Sequence, residues 1–167
     1  MCSSDLEGLP IVAVASNQAG APALERARAA GIACEAFELD DHPDREARDT
    51  AMADWLVEHG VDLVVCAGYM HLLRRCFLER FPGRIVNTHS APLPDFPGPH
   101  PIDDVLAAGV PETAATVHYV DGGVDTGPVI AAERVPVLPD DDANTLKERV
   151  QAVEHRLLPQ VVRGLIA

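Results

Sequence analysis

Short apolar runs alternate with segments of helical periodicity along the first half of the chain, and this alternation constrains the fold more than any other feature. Strands are predicted where β-branched and other apolar residues cluster between turn residues, at 11–15, 33–39, 61–67 and 84–87. Helices are predicted between them, at 23–30, 41–59 and 73–80. Strands that alternate with helices form an α/β domain whose sheet is mostly parallel.

The second half of the chain departs from that alternation. A stiff loop containing five prolines at 91–101 leads into a short helix at 101–108. Two strands follow, at 113–120 and 129–137, and the first of them alternates as a half-exposed strand does. The last helix is predicted at 142–166, with apolar residues at helical spacing: Leu146, Val150, Val153, Leu157, Val161 and Leu165.

Burial can be predicted for two further segments. The run at 61–67 is continuously apolar, which is typical of a strand that is buried on both faces. The helix at 41–59 carries one apolar stripe, formed by Ala47, Ala51, Met52, Trp55 and Leu56.

The composition excludes several classes of partner. With 167 residues the chain is long enough for one domain with a core, and its net charge of −13 repels nucleic-acid backbones. No apolar run reaches the roughly 18 residues that a membrane helix needs, so we predict a cytoplasmic protein. The four cysteines form no CxxC pair, which favours reduced thiols, and the seven histidines show no spacing typical of a metal site.

Three polar residues can together perform acid–base chemistry: Asn87, His89 and Asp125. Asn87 and His89 follow a strand, and ligands of open α/β sheets bind beyond the carboxyl ends of the strands. The amide can stabilise an oxyanion, the imidazole can transfer a proton, and a nearby carboxylate favours the charged imidazole. A histidine at a strand end and an aspartate in a Gly-rich turn also have purely structural explanations, so the residues alone leave both open.

Several motifs at consistent spacing resemble the folate-dependent formyltransferases, and the match covers nearly everything after Leu9. They are Asn87-Thr88-His89 with Leu93-Pro94 and Pro97-Gly98, Thr116-Val117-His118-Tyr119-Val120, Val124-Asp125-Thr126-Gly127-Pro128, and Glu154-His155-Arg156-Leu157-Leu158-Pro159. The resemblance implies a three-layer, Rossmann-like formyltransferase fold. It also implies transfer of a formyl group from 10-formyltetrahydrofolate to the amine of N1-(5-phospho-D-ribosyl)glycinamide (glycinamide ribonucleotide) in purine biosynthesis, without a metal.

The same resemblance implies a role for each candidate site residue. Asn87 would be the oxyanion donor, His89 the proton donor, and Asp125 the carboxylate that keeps His89 charged. His100 and Thr116 would support the aspartate and an ordered water. Glu154 would contact the ribonucleotide. The folate would be held by Arg45, Met70, His71, Leu72, Leu73 and Asn87.

Three features depart from the family pattern. The family usually has His-Pro-Ser-Leu-Leu-Pro where this chain has His89-Ser90-Ala91-Pro92-Leu93-Pro94, and His71 stands where the family often has Arg. The family's first strand and its Gly-Ser-rich phosphate loop have no counterpart. We therefore expect residues 1–8 to be a non-native or disordered N-terminal stub and 9–167 to be a truncated formyltransferase domain, with its first strand missing and its activity weak or absent.

Two other functions stay open on the sequence alone. A 10-formyltetrahydrofolate deformylase would use the same amide, imidazole and carboxylate with water in place of the amine, although 125–128 and 154–159 favour the transferase. A folate-binding fragment without catalysis is the other. A transferase acting on methionyl-tRNA is disfavoured by the negative charge. We predict small-molecule substrates and no nucleic acid or membrane partner; either a monomer or a homodimer fits.

Overall fold

The computed structural model describes residues 8–167, so the prediction of an N-terminal stub falls almost entirely outside the described residues. The chain forms two compact units. The first unit contains residues 8–64 and 73–84, and the second unit contains residues 65–72 and 85–167. No described helix combines the length and the apolar character that crossing a lipid bilayer requires.

A parallel pair of strands and three helices make up the first unit. The two strands pair in register, with Ala13 opposite Ala33 and Ser16 opposite Ala36. The helix between them buries Leu24 and Ala27 and packs against both strands, as a strand–helix–strand crossover does. The elements are β1 (Ala13–Ser16), α1 (Pro22–Ala29), β2 (Ala33–Ala36), α2 (Arg45–Glu58) and α3 (Arg75–Leu78), with a 3-10 turn at Leu39–Asp41.

The buried face of the helix α2 overlaps the predicted apolar stripe at Met52 and Leu56 and extends beyond it. Its buried residues are Arg48, Asp49, Met52, Ala53 and Leu56. Trp55, which was part of the predicted stripe, is only partly buried. Hydrophobicity alone does not predict the buried positions of Arg48 and Asp49, which are buried as a hydrogen-bonded ion pair.

A four-stranded sheet with the strand order β3-β4-β5-β6 forms the frame of the second unit. The pairs β4/β5 and β5/β6 are antiparallel, so the predicted hairpin-like end of the sheet is confirmed and the architecture is mixed. The elements are β3 (Val64–Cys66), β4 (Ile85–His89), α4 (Pro101–Ala108), β5 (Glu112–Tyr119), β6 (Val129–Pro136) and α5 (Ala143–Ile166).

Two strands differ from their predicted burial. β3 is only partly buried along its length, because it has one neighbour in the described sheet order. β5, predicted to be half exposed, is buried from Thr113 to His118 because it lies between β4 and β6 and packs against α5. The polar side chains that alternate along β5, at Thr116 and His118 among them, therefore face the interior.

The long helix α5 begins with a capping box, in which Asp142 and Thr145 each accept a hydrogen bond from the other's backbone N–H. Its fully buried row follows every fourth residue, through Leu146, Val150 and Leu158. After Val150 the predicted stripe includes positions outside this row. Of these, Val153 and Val161 are only partly buried, and Leu165 is exposed. Glu154 lies in the row between Val150 and Leu158.

Candidate active site

Antiparallel pairing places four polar side chains on one face of the β4/β5 pair. Asn87 lies opposite His118, and His89 lies opposite Thr116. Residues directly opposite each other share a face of a sheet, and so do residues two apart on one strand. Asn87, His89, Thr116 and His118 therefore lie together, and all but Asn87 are buried.

Asp125 reaches this polar face from the turn that follows β5. Its Oδ2 lies 3.5 Å from Nδ1 of His89, and its Oδ1 lies 3.6 Å from Nε2 of His118. The backbone N–H of Gly98 donates to Oδ2 at 2.9 Å. The backbone of Asp125 has φ 53°, in the left-handed region that residues other than Gly seldom adopt. The structure thus brings the predicted imidazole and carboxylate together.

The turn that carries Asp125 is held by Asp121. Oδ1 of Asp121 accepts hydrogen bonds from Oγ1 of Thr126 at 2.6 Å and from the N–H of Gly123 at 2.9 Å. The hydrogen bonds from Thr126 and Gly123 hold the pKa of Asp121 below its ordinary value. At Gly127 the chain passes so near β5 that a Cβ would lie 1.8 Å from the carbonyl oxygen of Tyr119. Only glycine fits this approach without movement of the backbone.

The second ring nitrogen of His89 contacts the proline-rich loop. Nε2 lies 2.6 Å from the carbonyl oxygen of Phe96. A carbonyl oxygen can only accept, so Nε2 carries the hydrogen of this bond. The two neighbours of the ring, Phe96 O and the Asp125 carboxylate, are both acceptors. Neither nitrogen of His89 faces a competing donor.

His118 is the site residue that sequence reasoning missed, because the sequence left it as one of several histidines that could be solvated or packed. Its Nδ1 lies 2.8 Å from the carbonyl oxygen of Tyr119, and its Nε2 lies 3.5 Å from Nδ2 of Asn87. His118 therefore lies between Asn87 and Asp125 and joins them into one set. The signal that would have found it is the strand register opposite Asn87, which the sequence does not contain.

The two residues predicted to support the aspartate have different surroundings. Thr116 is buried, and its Oγ1 donates to the carbonyl oxygen of Ala91 at 2.8 Å, which fastens the loop after His89. His100 is exposed at the residue before α4, where its backbone carbonyl accepts from the N–H of Asp104 at 3.1 Å and its side chain does not cap the helix. The roles implied for both residues stay predictions.

Glu154 contacts the segment that follows His89. Oγ of Ser90 donates to Oε1 of Glu154 at 2.7 Å. This bond joins α5 to the residue directly after the strand end that carries Asn87 and His89. The residue predicted to contact the ribonucleotide is therefore fixed close in the fold to the predicted acid–base group.

The residues predicted to hold the folate divide between the two units. Met70, His71, Leu72 and Asn87 belong to the second unit, whereas Arg45 and Leu73 belong to the first. Met70 and Leu72 are apolar and yet 72% and 51% exposed, and the ring of His71 makes an edge contact with Tyr69. An exposed apolar loop is available to an aromatic ligand. The folate contacts stay predictions for all six residues.

The cysteine side chains and the other possible metal ligands are separate from this set. Among residues 8–167, no group of three or more His, Cys, Asp and Glu side chains is arranged to hold a metal ion. Cys34, Cys66 and Cys76 are free thiols. Burial raises the pKa of Cys66 to about 12, so this side chain is a neutral thiol at physiological pH.

Comparison with known sequences identifies one matching family and several similar proteins. The profile of the family described as "Formyl transferase" matches residues 2–162. A phosphoribosylglycinamide formyltransferase of Mycobacterium tuberculosis is 51% identical over 144 residues, which cover 83% of this chain and 67% of that protein. The trifunctional purine biosynthetic protein adenosine-3 of Drosophila melanogaster is 40% identical over 156 residues, which cover 93% of this chain and 12% of that protein.

Comparison with solved structures confirms the predicted fold class. The crystal structure of phosphoribosylglycinamide formyltransferase from Streptococcus pneumoniae matches with a TM-score of 0.89 and 43% identity, over 95% of this chain and 88% of that chain. The chain is thus similar in sequence and in backbone to proteins named phosphoribosylglycinamide formyltransferase.

Proposed function

We propose that this chain, which belongs to the formyl transferase family, transfers a formyl group from 10-formyltetrahydrofolate to the amine of glycinamide ribonucleotide. The observation that carries the proposal is the grouping of Asn87, His89 and His118 on one face of the β4/β5 pair with Asp125, which reaches them from the turn after β5. The alternative of a deformylase is not favoured, because the relatives described above are named for transfer or for purine biosynthesis.

The reaction needs one bond to form and one to break at the formyl carbon. The amine nitrogen of the ribonucleotide attacks that carbon, and the carbonyl oxygen becomes an oxyanion to which the Asn87 amide donates a hydrogen bond. The bond between the formyl carbon and N10 of the folate then breaks. N10 takes a proton from His89, and the proton that the amine loses restores the ring. The Asp125 carboxylate stabilises the positive charge of the imidazolium.

The contact between His89 and Phe96 sets a condition on this mechanism. Nε2 of His89 donates to the Phe96 carbonyl oxygen, so this carbonyl must withdraw, or the ring must turn, before Nε2 can donate to a substrate. Catalytic hydrogen bonds often reach their working geometry only when substrate is bound. We infer that substrate replaces the Phe96 carbonyl as the acceptor.

We assign the binding of the two substrates to the residues that the family resemblance implies. The exposed apolar side chains of Met70 and Leu72 suit the flat ring system of a folate, with His71 and Asn87 as polar neighbours in the chain's second unit. Arg45 and Leu73, in the first unit, are proposed as folate residues on the family resemblance alone. Glu154 offers a carboxylate that can accept hydrogen bonds from the N–H or O–H groups of the ribonucleotide. No step requires a metal. A cytoplasmic location is part of the proposal.

The proposal is tested by mixing the purified chain with 10-formyltetrahydrofolate and glycinamide ribonucleotide and measuring formylated ribonucleotide by mass spectrometry. We expect His89→Ala to lower the rate by about 10²–10⁴-fold, the range for a positioned acid–base group. His59→Ala, which removes an exposed histidine in tilted ring contact with Trp55, is the matched control and should keep the wild-type rate.

Three results would contradict either the proposed reaction or the expected weak activity. Wild-type protein that forms no product above the uncatalysed background refutes transfer by this chain and agrees with the sequence-based expectation of weak or absent activity. Formate released at the same rate without the amine indicates hydrolysis instead. Turnover as fast as that of a related enzyme would contradict the sequence-based expectation of weak activity while it supports the reaction itself.

A further inference from the structure

The buried row of α5 contains one carboxylate. Leu146, Val150 and Leu158 are fully buried and belong to a row of residues spaced four apart along the helix. Val162 continues the row with 5% exposure. Glu154 occupies the position between Val150 and Leu158, where an apolar side chain would give the helix a continuous packed stripe. Placing a charge there costs free energy unless hydrogen bonds compensate it. A carboxylate at this position is therefore explained by what it contacts.

The contact of Glu154 is Ser90. The Ser90 hydroxyl donates to Oε1 at 2.7 Å, a short bond to a charged acceptor, and both side chains are partly buried. One carboxylate oxygen is thereby fixed, and the rotation of the side chain is fixed with it. The second oxygen, Oε2, is left to accept a hydrogen bond from a ligand.

The backbone around Ser90 does not depend on this hydroxyl. His89, the preceding residue, is the last residue of β4, and the carbonyl of Ala91, the following residue, accepts the buried bond from Thr116 at 2.8 Å. Gly98, further along the same loop, is fastened to Asp125. Removing the Ser90 hydroxyl should consequently release Glu154 and leave the loop in place.

We propose that Ser90 is a positioning residue, which orients the Glu154 carboxylate so that Oε2 meets an N–H or O–H group of glycinamide ribonucleotide. The inference rests on the proposed function. Ser90 stands at one of the positions where this chain departs from the family pattern, and a proline there could not donate such a bond. The orientation of Glu154 would thus be a property of this chain.

The test is calorimetric titration of the chain with glycinamide ribonucleotide and, separately, with tetrahydrofolate. We expect Ser90→Ala to weaken ribonucleotide binding about tenfold, which corresponds to about 1.4 kcal/mol. Its affinity for tetrahydrofolate should change less than about twofold. Ser90→Thr keeps the hydroxyl and should restore ribonucleotide binding to within about threefold of wild type.

A double mutant separates orientation from general disruption. In a Glu154→Ala background, Ser90→Ala should weaken ribonucleotide binding by less than about twofold, because no carboxylate is left to orient. Unchanged ribonucleotide binding in Ser90→Ala overturns the proposal. Equal losses for both ligands, a threonine variant as weak as the alanine variant, or a wild-type chain that does not bind the ribonucleotide also overturn it.

The role of Ser90 and the proposed reaction can fail separately. If the wild-type chain shows this binding pattern but forms no formylated product, the reaction is refuted and the role of Ser90 stands. If the wild-type chain transfers formyl groups and Ser90→Ala binds the ribonucleotide normally, only the role of Ser90 is refuted.

Discussion

Two aspartates, the fully buried Asp49 in the first unit and the partly buried Asp125 in the second, have opposite kinds of environment. Asp49 is fully buried and accepts from Nε and Nη2 of Arg48 at 2.9 and 2.6 Å, and from the backbone N–H of Arg74 at 2.9 Å. Within the described part of the chain, Asp125 accepts one hydrogen bond of comparable length, from the N–H of Gly98 at 2.9 Å. Its other neighbours are two imidazole rings at 3.5 and 3.6 Å.

The difference separates a structural carboxylate from one that can take part in chemistry. The donors to Asp49 are a guanidinium and a backbone amide, and each makes a short, fixed hydrogen bond. The neighbours of Asp125 include two imidazole rings, which are groups that can transfer protons, and the distances leave room for them to move closer. Asp125 also has the left-handed backbone, a conformation that costs free energy and that clusters at functional sites.

The largest expected effect is the loss of stability when Asp49 is removed. Asp49→Ala removes the carboxylate oxygen that accepts from both Nε and Nη2 of the buried Arg48 guanidinium, and breaking a buried ion pair costs about 3–5 kcal/mol. Urea denaturation followed by circular dichroism measures the change in unfolding free energy. Asp54→Ala is the matched control on the same helix, because its pair with Arg80 is solvent-exposed and should be worth less than about 1 kcal/mol.

The complementary expectation is that Asp125→Asn affects turnover and leaves stability nearly unchanged. Asparagine tolerates the left-handed backbone at this position, but it cannot stabilise a charged His89. We expect formyl transfer to slow about 100-fold, equivalent to about 2.7 kcal/mol of barrier, with less than about 1 kcal/mol lost in unfolding free energy. Asp103→Asn, an exposed carboxylate in α4, is the activity control.

A reversed pattern would remove the distinction between the two aspartates. If Asp125→Asn unfolds as readily as Asp49→Ala, or transfers formyl groups at the wild-type rate, Asp125 is a structural carboxylate as well.

Most of the secondary structure could be predicted from the sequence, because apolar runs and turn residues report it locally. The helix at 101–108 has the predicted bounds, and α5 begins one residue after its predicted start. Burial was predicted less well, since it depends on neighbours that are distant in sequence. β5 has a half-exposed pattern but is covered, and the buried side of α2 includes Arg48 and Asp49.

The candidate site shows the same limit. Asn87, His89 and Asp125 could be selected from residue chemistry and from the resemblance, and the structure places them in one region. His118 could not be selected, because its connection to Asn87 exists only through the register of β4 with β5. The bond from Ser90 to Glu154 spans 64 positions and has no local sequence signal.

A smaller loss of stability is expected from a substitution at Gly127, in the turn that carries Asp125. Gly127→Ala would place a Cβ 1.8 Å from the Tyr119 carbonyl oxygen, so the backbone must shift, at a cost of about 1–3 kcal/mol. Gly122→Ala, in the same turn, meets nothing within 4 Å and is the control. Urea denaturation measures stability and the formyl-transfer assay measures the accompanying loss of rate. Equal behaviour of the two variants would show that Asp125 does not depend on this close approach.

The smallest expected effect concerns pH and Asp121, which fastens that turn to Thr126 and Gly123. Because the folded-state pKa of Asp121 lies below its ordinary value of 3.8, its contribution to stability is complete above that value and is lost as the pH falls through the lower folded-state pKa. Solvent screens this exposed group, so we expect Asp121→Asn to lower stability at neutral pH by less than about 1 kcal/mol. Thermal unfolding of both proteins from about pH 7 to about pH 2.5 should show this difference shrinking towards zero. A difference that persists or grows in acid would mean that the Asp121 carboxylate does not hold the turn.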